Sequence, residues 1–223
     1  NVNKLVHKFT AVTTTDLWET NKQIFEWLFG EGVTVEQDVG SGKKAQTVRI
    51  FNVEDPTSSD NEYLAVNQLT YTNANGSIRP DILLYINGLP LVIVECKSPK
   101  LQPEKQLPEC VKQFERYVET NDRAFYYNQL MIATSYDRAR VGTLFAKAQH
   151  YGLWSDPYPL TKEEVGSDNP QALLIAGILR KEVLLPLLNN YIVYDGKVKK
   201  FARYQQFRAV EKAVTRILTG EKP

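Results

Sequence analysis

Residues 79–97 read Arg79-Pro80-Asp81-Ile82-Leu83-Leu84-Tyr85-Ile86-Asn87-Gly88-Leu89-Pro90-Leu91-Val92-Ile93-Val94-Glu95-Cys96-Lys97, and this stretch decides the fold. Two short apolar runs rich in branched residues, 82–86 and 91–94, predict two strands. Asn87-Gly88 between them supplies the positive φ angles of a tight hairpin turn. Asp81 enters the first strand, and Glu95 and Lys97 leave the second. Charges at the ends of a core-grade hairpin are costly unless paired or bound to a cation. The chemistry is expected here.

Side chains alternate along a strand, so Glu95 and Lys97 share one face and Cys96 takes the other. The hairpin register decides whether Asp81 joins them. A two-residue loop pairs Ile86 with Leu89 and sets Asp81 opposite Val94, on the wrong face. A three-residue loop pairs Ile86 with Pro90 and sets Asp81 opposite Glu95. One residue of slip exchanges the faces. Cooperation of the carboxylates therefore requires an odd loop or a bulge.

Two carboxylates beside a lysine suit Mg²⁺, which takes one or two carboxylates plus waters and phosphate oxygens. Such a cation stabilises charge on a scissile phosphate and acidifies water, with Lys97 acting on that water or on the phosphoryl oxygens. Pro-Asp, a spacer and Glu-x-Lys form the outline of the PD-(D/E)xK nuclease signature. The plainer alternative is a surface hairpin whose end charges make a solvated salt bridge. The strand–turn–strand context favours the nuclease reading.

Outward from this hairpin, a chain of 223 residues is long enough for one full core plus an appendage. A net charge of +1 argues against general electrostatic binding of nucleic acid, so DNA affinity must come from local patches or partner subunits. Cys96 and Cys110 form no Cys-x-x-Cys pair and only His7 and His150 could assist them, which argues against structural zinc. No apolar run has membrane-spanning length and no signal peptide opens the chain, so a cytoplasmic location without membrane contact is expected. An initial Asn and an abrupt end after a helical pattern make the chain read as a fragment.

Asp16 or a neighbouring threonine caps a helix reaching Phe29, which carries Glu19 and Glu26. Either glutamate is a candidate extra metal ligand, and a solvated helix face is the favoured reading. Strands are expected at 33–39 and 47–53, joined by Gly40-Ser41-Gly42-Lys43-Lys44. That turn lacks the upstream glycine and the Ser or Thr of a phosphate-binding loop. A third strand is expected at 63–71, a helix in the later part of 102–120, a buried strand at 130–134, a helix at 170–189, and a basic then helical tail at 197–218. On the 102–120 helix, Gln113 and Tyr117 are four apart and share a face. They form either a polar rim of the core or part of the site.

Asn61-Glu62-Tyr63…Asn67-Gln68, Arg79-Pro80-Asp81, Asn87-Gly88-Leu89-Pro90, Glu95-Cys96-Lys97-Ser98-Pro99 and Gln113-x-x-x-Tyr117 stand in an order that resembles one family. It is the amino-terminal nuclease domain of the restriction (motor) subunit of type I restriction–modification enzymes. Ala133-Thr134-Ser135, Gly142-Thr143-Leu144, 184–188 and the tail around Tyr204-Gln205-Gln206-Phe207 fit as well. The resemblance implies an α/β fold with a mixed central sheet flanked by helices, a restriction-endonuclease-like core at 1–160, and a helical extension at 161–223 leading into an absent motor.

It implies further that Asp81, Glu95 and the Cys96 carbonyl bind Mg²⁺, that Lys97 assists the attacking water, and that Gln113 and Tyr117 position the DNA backbone or order the site. Double-stranded DNA and the modification and specificity subunits are the implied partners. ATP belongs to the absent motor, where Gln206 would read adenine; no Walker A motif stands in this chain. A repair-type exonuclease on the same core and a non-catalytic docking module are the rival readings.

Overall fold

The computed structural model describes residues 2–11, 16–40 and 42–220. Along the chain run α1 (Val2–Thr10), α2 (Leu17–Phe29), β1 (Val33–Asp38), β2 (Lys43–Val48) and β3 (Tyr63–Asn67). A small hairpin, β4 (Tyr71–Asn73) and β5 (Gly76–Ile78), precedes β6 (Ile82–Ile86) and β7 (Leu89–Cys96). Next come α3 (Pro103–Thr120), β8 (Leu130–Ser135) and β9 (Arg138–Gly142). After a largely irregular stretch at 143–161 come α4 (Lys162–Val165), α5 (Pro170–Ile178), α6 (Lys181–Asn190), β10 (Ile192–Asp195), β11 (Val198–Phe201) and α7 (Tyr204–Thr219).

The 79–97 hairpin lies within a five-stranded sheet of order β3-β6-β7-β8-β9. β7 and β8 are parallel, and the other pairs are antiparallel. α3 connects the parallel pair, since parallel neighbours need a crossover. One sheet face, with Leu83, Ile93, Met131 and Ala133, packs on Val111 and Phe114 of α3. The other face, with Val92, Val94, Leu130 and Ile132, packs on α2, α5 and α6 through Ile24, Leu174 and Leu185. All six residues of β8 are buried, as befits a strand covered on both faces. The chain thus forms the mixed central sheet flanked by helices that the family resemblance implies.

Several elements differ in extent from the sequence reading. β2 begins at Lys43 and ends at Val48, leaving 49–53 outside any strand. The side chains of Asn87 and Asn61 bond the backbone at Ile50 and Asn52, replacing ladder partners. The 63–71 strand breaks after Asn67 because Gln68 takes a left-handed φ of 52° and donates its N–H to Asp81 O. The 170–189 helix divides at Leu179–Arg180, so both Leu-rich halves reach the core. α3 is helical from Pro103 onwards, because proline is tolerated in a first turn. The β10–β11 hairpin was not anticipated, although Asp195-Gly196 is a turn signal, and Gly196 has φ 57°.

α2 is capped by Asp16, whose carboxylate accepts from Trp18 N at 2.9 Å. The neighbouring threonines 13–15 lie outside the described residues, as does Ser41 of the β1–β2 turn. Among the described residues no helix is long and apolar enough to cross a membrane.

Candidate active site

The turn at Asn87-Gly88 has two residues, both with positive φ (50° and 76°), and pairs Ile86 with Leu89. By itself this register puts Asp81 on the wrong face. Past Tyr85↔Pro90, however, the pairing shifts: Leu84 faces Val92, Leu83 faces Ile93 and Ile82 faces Val94. Leu91 is therefore an extra residue in β7, a β-bulge. One step further along this register, Asp81 stands opposite Glu95, on the α3 face of the sheet. Asp81 Oδ2 also accepts the Cys96 N–H at 2.8 Å, which ties its carboxylate to the end of β7.

Glu95 is 2% exposed. Its Oε1 accepts from Lys97 Nζ at 2.9 Å, and its Oε2 lies 3.5 Å from the Tyr117 hydroxyl, at the limit of a hydrogen bond. Lys97 also donates to the Gln113 side-chain carbonyl, and Gln113 Nε2 donates to the Tyr117 hydroxyl. Tyr117 in turn donates to Arg79 O at 3.0 Å. The loop between β7 and α3 folds the helix back, so the expected face of Gln113 and Tyr117 turns to Glu95 and Lys97. Tyr117 departs from the sequence reading in one respect. It is not on the rim of the core but within it, 6% exposed and packed in the α3 core cluster with Phe114.

Burial pushes the Glu95 carboxyl above its ordinary range; the Lys97 ammonium pulls it back, and the neighbouring Asp81 charge raises it again. Burial likewise raises the Tyr117 hydroxyl, so it remains protonated and able to donate. Crowded carboxylates with too little counter-charge suit a hard cation. Cys96 adds a third oxygen. Lys97 N–H points to Thr134 O on β8, and backbone groups of successive extended residues alternate in direction. The Cys96 carbonyl therefore points the other way, with its N–H, toward Asp81. Among the described residues no cluster of three or more His, Cys, Asp and Glu side chains could hold a metal, so two carboxylates plus a backbone oxygen are the available set.

The α2 glutamates stand apart. Glu19 pairs with Lys197 at 2.7 Å and Glu26 with Lys22 at 4.0 Å, both partly exposed. Gln206 is also elsewhere, in the first turn of α7, accepting Arg203 N–H at 2.9 Å. It lines a cavity of about 1000 Å³ between the β10–β11 hairpin, α7 and the segment after β9. The carboxylates lie outside that cavity. The backbone carbonyl of Arg79, which anchors Tyr117, was missed by sequence reasoning, and a main-chain acceptor leaves no signal in residue identity.

Residues 1–150 match the family model for the type I restriction enzyme R protein N terminus. The chain belongs to this family. It is 33% identical to the type I restriction enzyme HindI endonuclease subunit of Haemophilus influenzae, over 99% of this chain and 21% of that protein. It is 27% identical to the putative type I restriction enzyme MjaIXP endonuclease subunit of Methanocaldococcus jannaschii, over 99% of this chain and 23% of that protein. The R-protein N terminus described here thus spans about a fifth of the length of these curated relatives.

Proposed function

We propose that this R-protein N terminus is a Mg²⁺-dependent endonuclease module of PD-(D/E)xK type. It hydrolyses phosphodiester bonds of double-stranded DNA without reading base sequence. The observation that carries the reading is Lys97 Nζ, held between Glu95 Oε1 and the Gln113 carbonyl on the face that Asp81 shares.

Asp81, Glu95 and the Cys96 carbonyl would hold Mg²⁺. When bound, the ion supplies Lewis acidity toward the phosphoryl oxygens and the attacking water. The chain's own groups do the rest. Lys97 places a positive charge and a proton donor where phosphoryl charge develops. Gln113 fixes that ammonium, and Tyr117 fixes Gln113 through the Arg79 carbonyl. Because these donors are already oriented, little reorganisation is required during reaction.

The names of the relatives, endonuclease subunits of type I restriction enzymes, support the same reading. Sequence choice would come from modification and specificity subunits, and ATP-driven translocation from residues beyond this chain, with Gln206 contributing an adenine contact there. The reading places the protein in the cytoplasm, with its DNA.

The test is cleavage of covalently closed circular DNA with Mg²⁺ by the assembled enzyme. Wild type cuts, and Asp81→Ala and Glu95→Ala do not while still folding. Cutting of linear ends alone would favour the exonuclease reading. Undiminished cutting by either variant would favour the docking reading.

A further inference from the structure

A second cavity, of about 340 Å³, lies on the same sheet face under the first turns of α3. Ser135, Arg138 and Arg140 line it from β8 and β9, and Gln106 and Cys110 line it from α3. Gln106, Cys110, Gln113 and Tyr117 follow one another at spacings of four, three and four, so one helix face spans this cavity and the candidate active site. Gln106 and Gln113 are seven positions apart on the helix, a rise of about 10 Å. The two places are neighbours along α3.

Two buried polar atoms there, Ser135 Oγ and Gln106 Oε1, have no hydrogen-bond partner among the described residues. The residues are 2% and 4% exposed, and an orphaned buried group is rare enough to require an explanation. Gln106 cannot relieve its orphan by an amide flip, because its Nε2 already donates to Leu101 O at 2.8 Å. The charge is also unbalanced. Among the described residues Arg140 has no ion pair, and its guanidinium donates to Ala139 O at 3.1 Å. Arg138 has only the exposed Asp137 at 3.9 Å, a contact of little energetic weight. Among the described residues Glu104, exposed, is the one carboxylate that lines the cavity. Arg138 and Arg140 are two apart on one strand and so share a face. Desolvation and the Arg138 charge depress Arg140 from its ordinary value, which an anion between the two would relieve.

We propose that Ser135, Arg138 and Arg140 form a subsite for a DNA phosphodiester flanking the scissile one. The two guanidinium groups grip the non-bridging oxygens and the Ser135 hydroxyl donates a third bond. Gln106 Oε1 accepts from a water that hydrates the same phosphate. This inference rests on the nuclease reading for the identity of the ligand, and on the cavity alone for its residues. It supplies the local basic patch that a chain of net charge +1 needs in order to bind DNA.

The test is equilibrium binding of a fluorescent 16-base-pair duplex to the chain in EDTA over a salt series, with inorganic phosphate as competitor. The Arg138→Gln/Arg140→Gln double variant is expected to bind about tenfold more weakly, with a log–log salt slope shallower by about 1. Ser135→Ala is expected to weaken binding without lowering the thermal midpoint, since it removes an unpaired hydroxyl. Wild-type affinity and slope in the double variant would overturn the subsite. So would absence of duplex binding by the wild-type chain, or displacement showing a site for free phosphate alone. A Mg²⁺ titration of the same variants separates the two readings. Loss of duplex binding with no metal bound by wild type would refute the catalytic proposal and leave this one standing.

Discussion

The side-chain carbonyl of Gln113 accepts a hydrogen bond from Lys97, sixteen residues earlier and just past the end of β7. Through this contact α3 holds the ammonium group that Glu95 also binds. The lysine is thereby fixed from two directions, by one partner two residues away on its own strand end and by another on α3.

Gln113→Ala should therefore lower single-turnover cleavage by roughly 10- to 100-fold, the usual cost of losing a positioning partner. Its fold should lose only about 1 kcal/mol, the worth of one hydrogen bond. Cleavage rate and thermal midpoint, measured on one preparation, check both. A wild-type rate would show that Glu95 alone suffices to place Lys97.

Tyr117 separates packing from chemistry. Tyr117→Phe keeps the ring in the α3 cluster and deletes only the hydroxyl, so stability should fall by about 1 kcal/mol while cleavage drops. Tyr117→Ala should cost roughly 3–5 kcal/mol, because the buried ring leaves a cavity. Urea denaturation of the two variants distinguishes them. Equal destabilisation would contradict the packing assigned here.

Asn87 holds the turn in place. Its Oδ1 accepts from Glu62 N at 2.7 Å, and its Nδ2 donates to Ile50 O at 2.8 Å and Asp60 O at 3.1 Å. Asn87→Ala should destabilise by about 3 kcal/mol, combining lost bonds with a left-handed φ that Ala tolerates poorly. Asn87→Gly should cost less, since only the bonds are lost. Chemical denaturation gives the order, and an Ala variant as stable as the Gly variant would show that φ strain is negligible here.

Mg²⁺ affinity should depend on pH through Glu95. Its carboxyl titrates above the ordinary 4.5, burial being the main cause, and metal binding requires the ionised form. Affinity should rise as pH climbs from 4.5 through the raised value, with proton release, and then level off. Without metal the sign for stability is opposite: the Glu95 contribution is fully present below the unfolded value and is lost as pH rises through the folded one. Calorimetry in buffers of different ionisation enthalpy would detect the proton, and binding that is flat across this window would exclude Glu95 as a ligand.

Lys199 gives the converse case. It is buried, donating to Asn21 Oδ1, Asn128 O and Gln129 Oε1 at 2.9, 3.0 and 2.7 Å with no carboxylate partner among the described residues, and desolvation lowers it well below 10.5. A depressed ammonium stabilises above its unfolded value, and that contribution is lost as pH falls through the folded value. Wild-type stability should thus rise toward pH 10.5 relative to Lys199→Met. Parallel thermal midpoints for the two proteins across this range would show that Lys199 titrates normally.

The sequence by itself determined the hairpin, its turn and the residues at its ends. Branched apolar runs, Asn87-Gly88 and the charges Asp81, Glu95 and Lys97 are all local signals with fixed periods. It also placed Gln113 and Tyr117 on one helix face, because four residues make about one turn. Which sheet face Asp81 occupies was not legible. That depends on the bulge at Leu91: Pro90 beside it, which cannot donate to a ladder, marks an irregularity but not which residue is the extra one. The closing of α3 onto the carboxylates and the burial of Lys199 were equally invisible. Each is a contact between elements distant in the chain, and only the packing of both sheet faces brings those partners within hydrogen-bond reach.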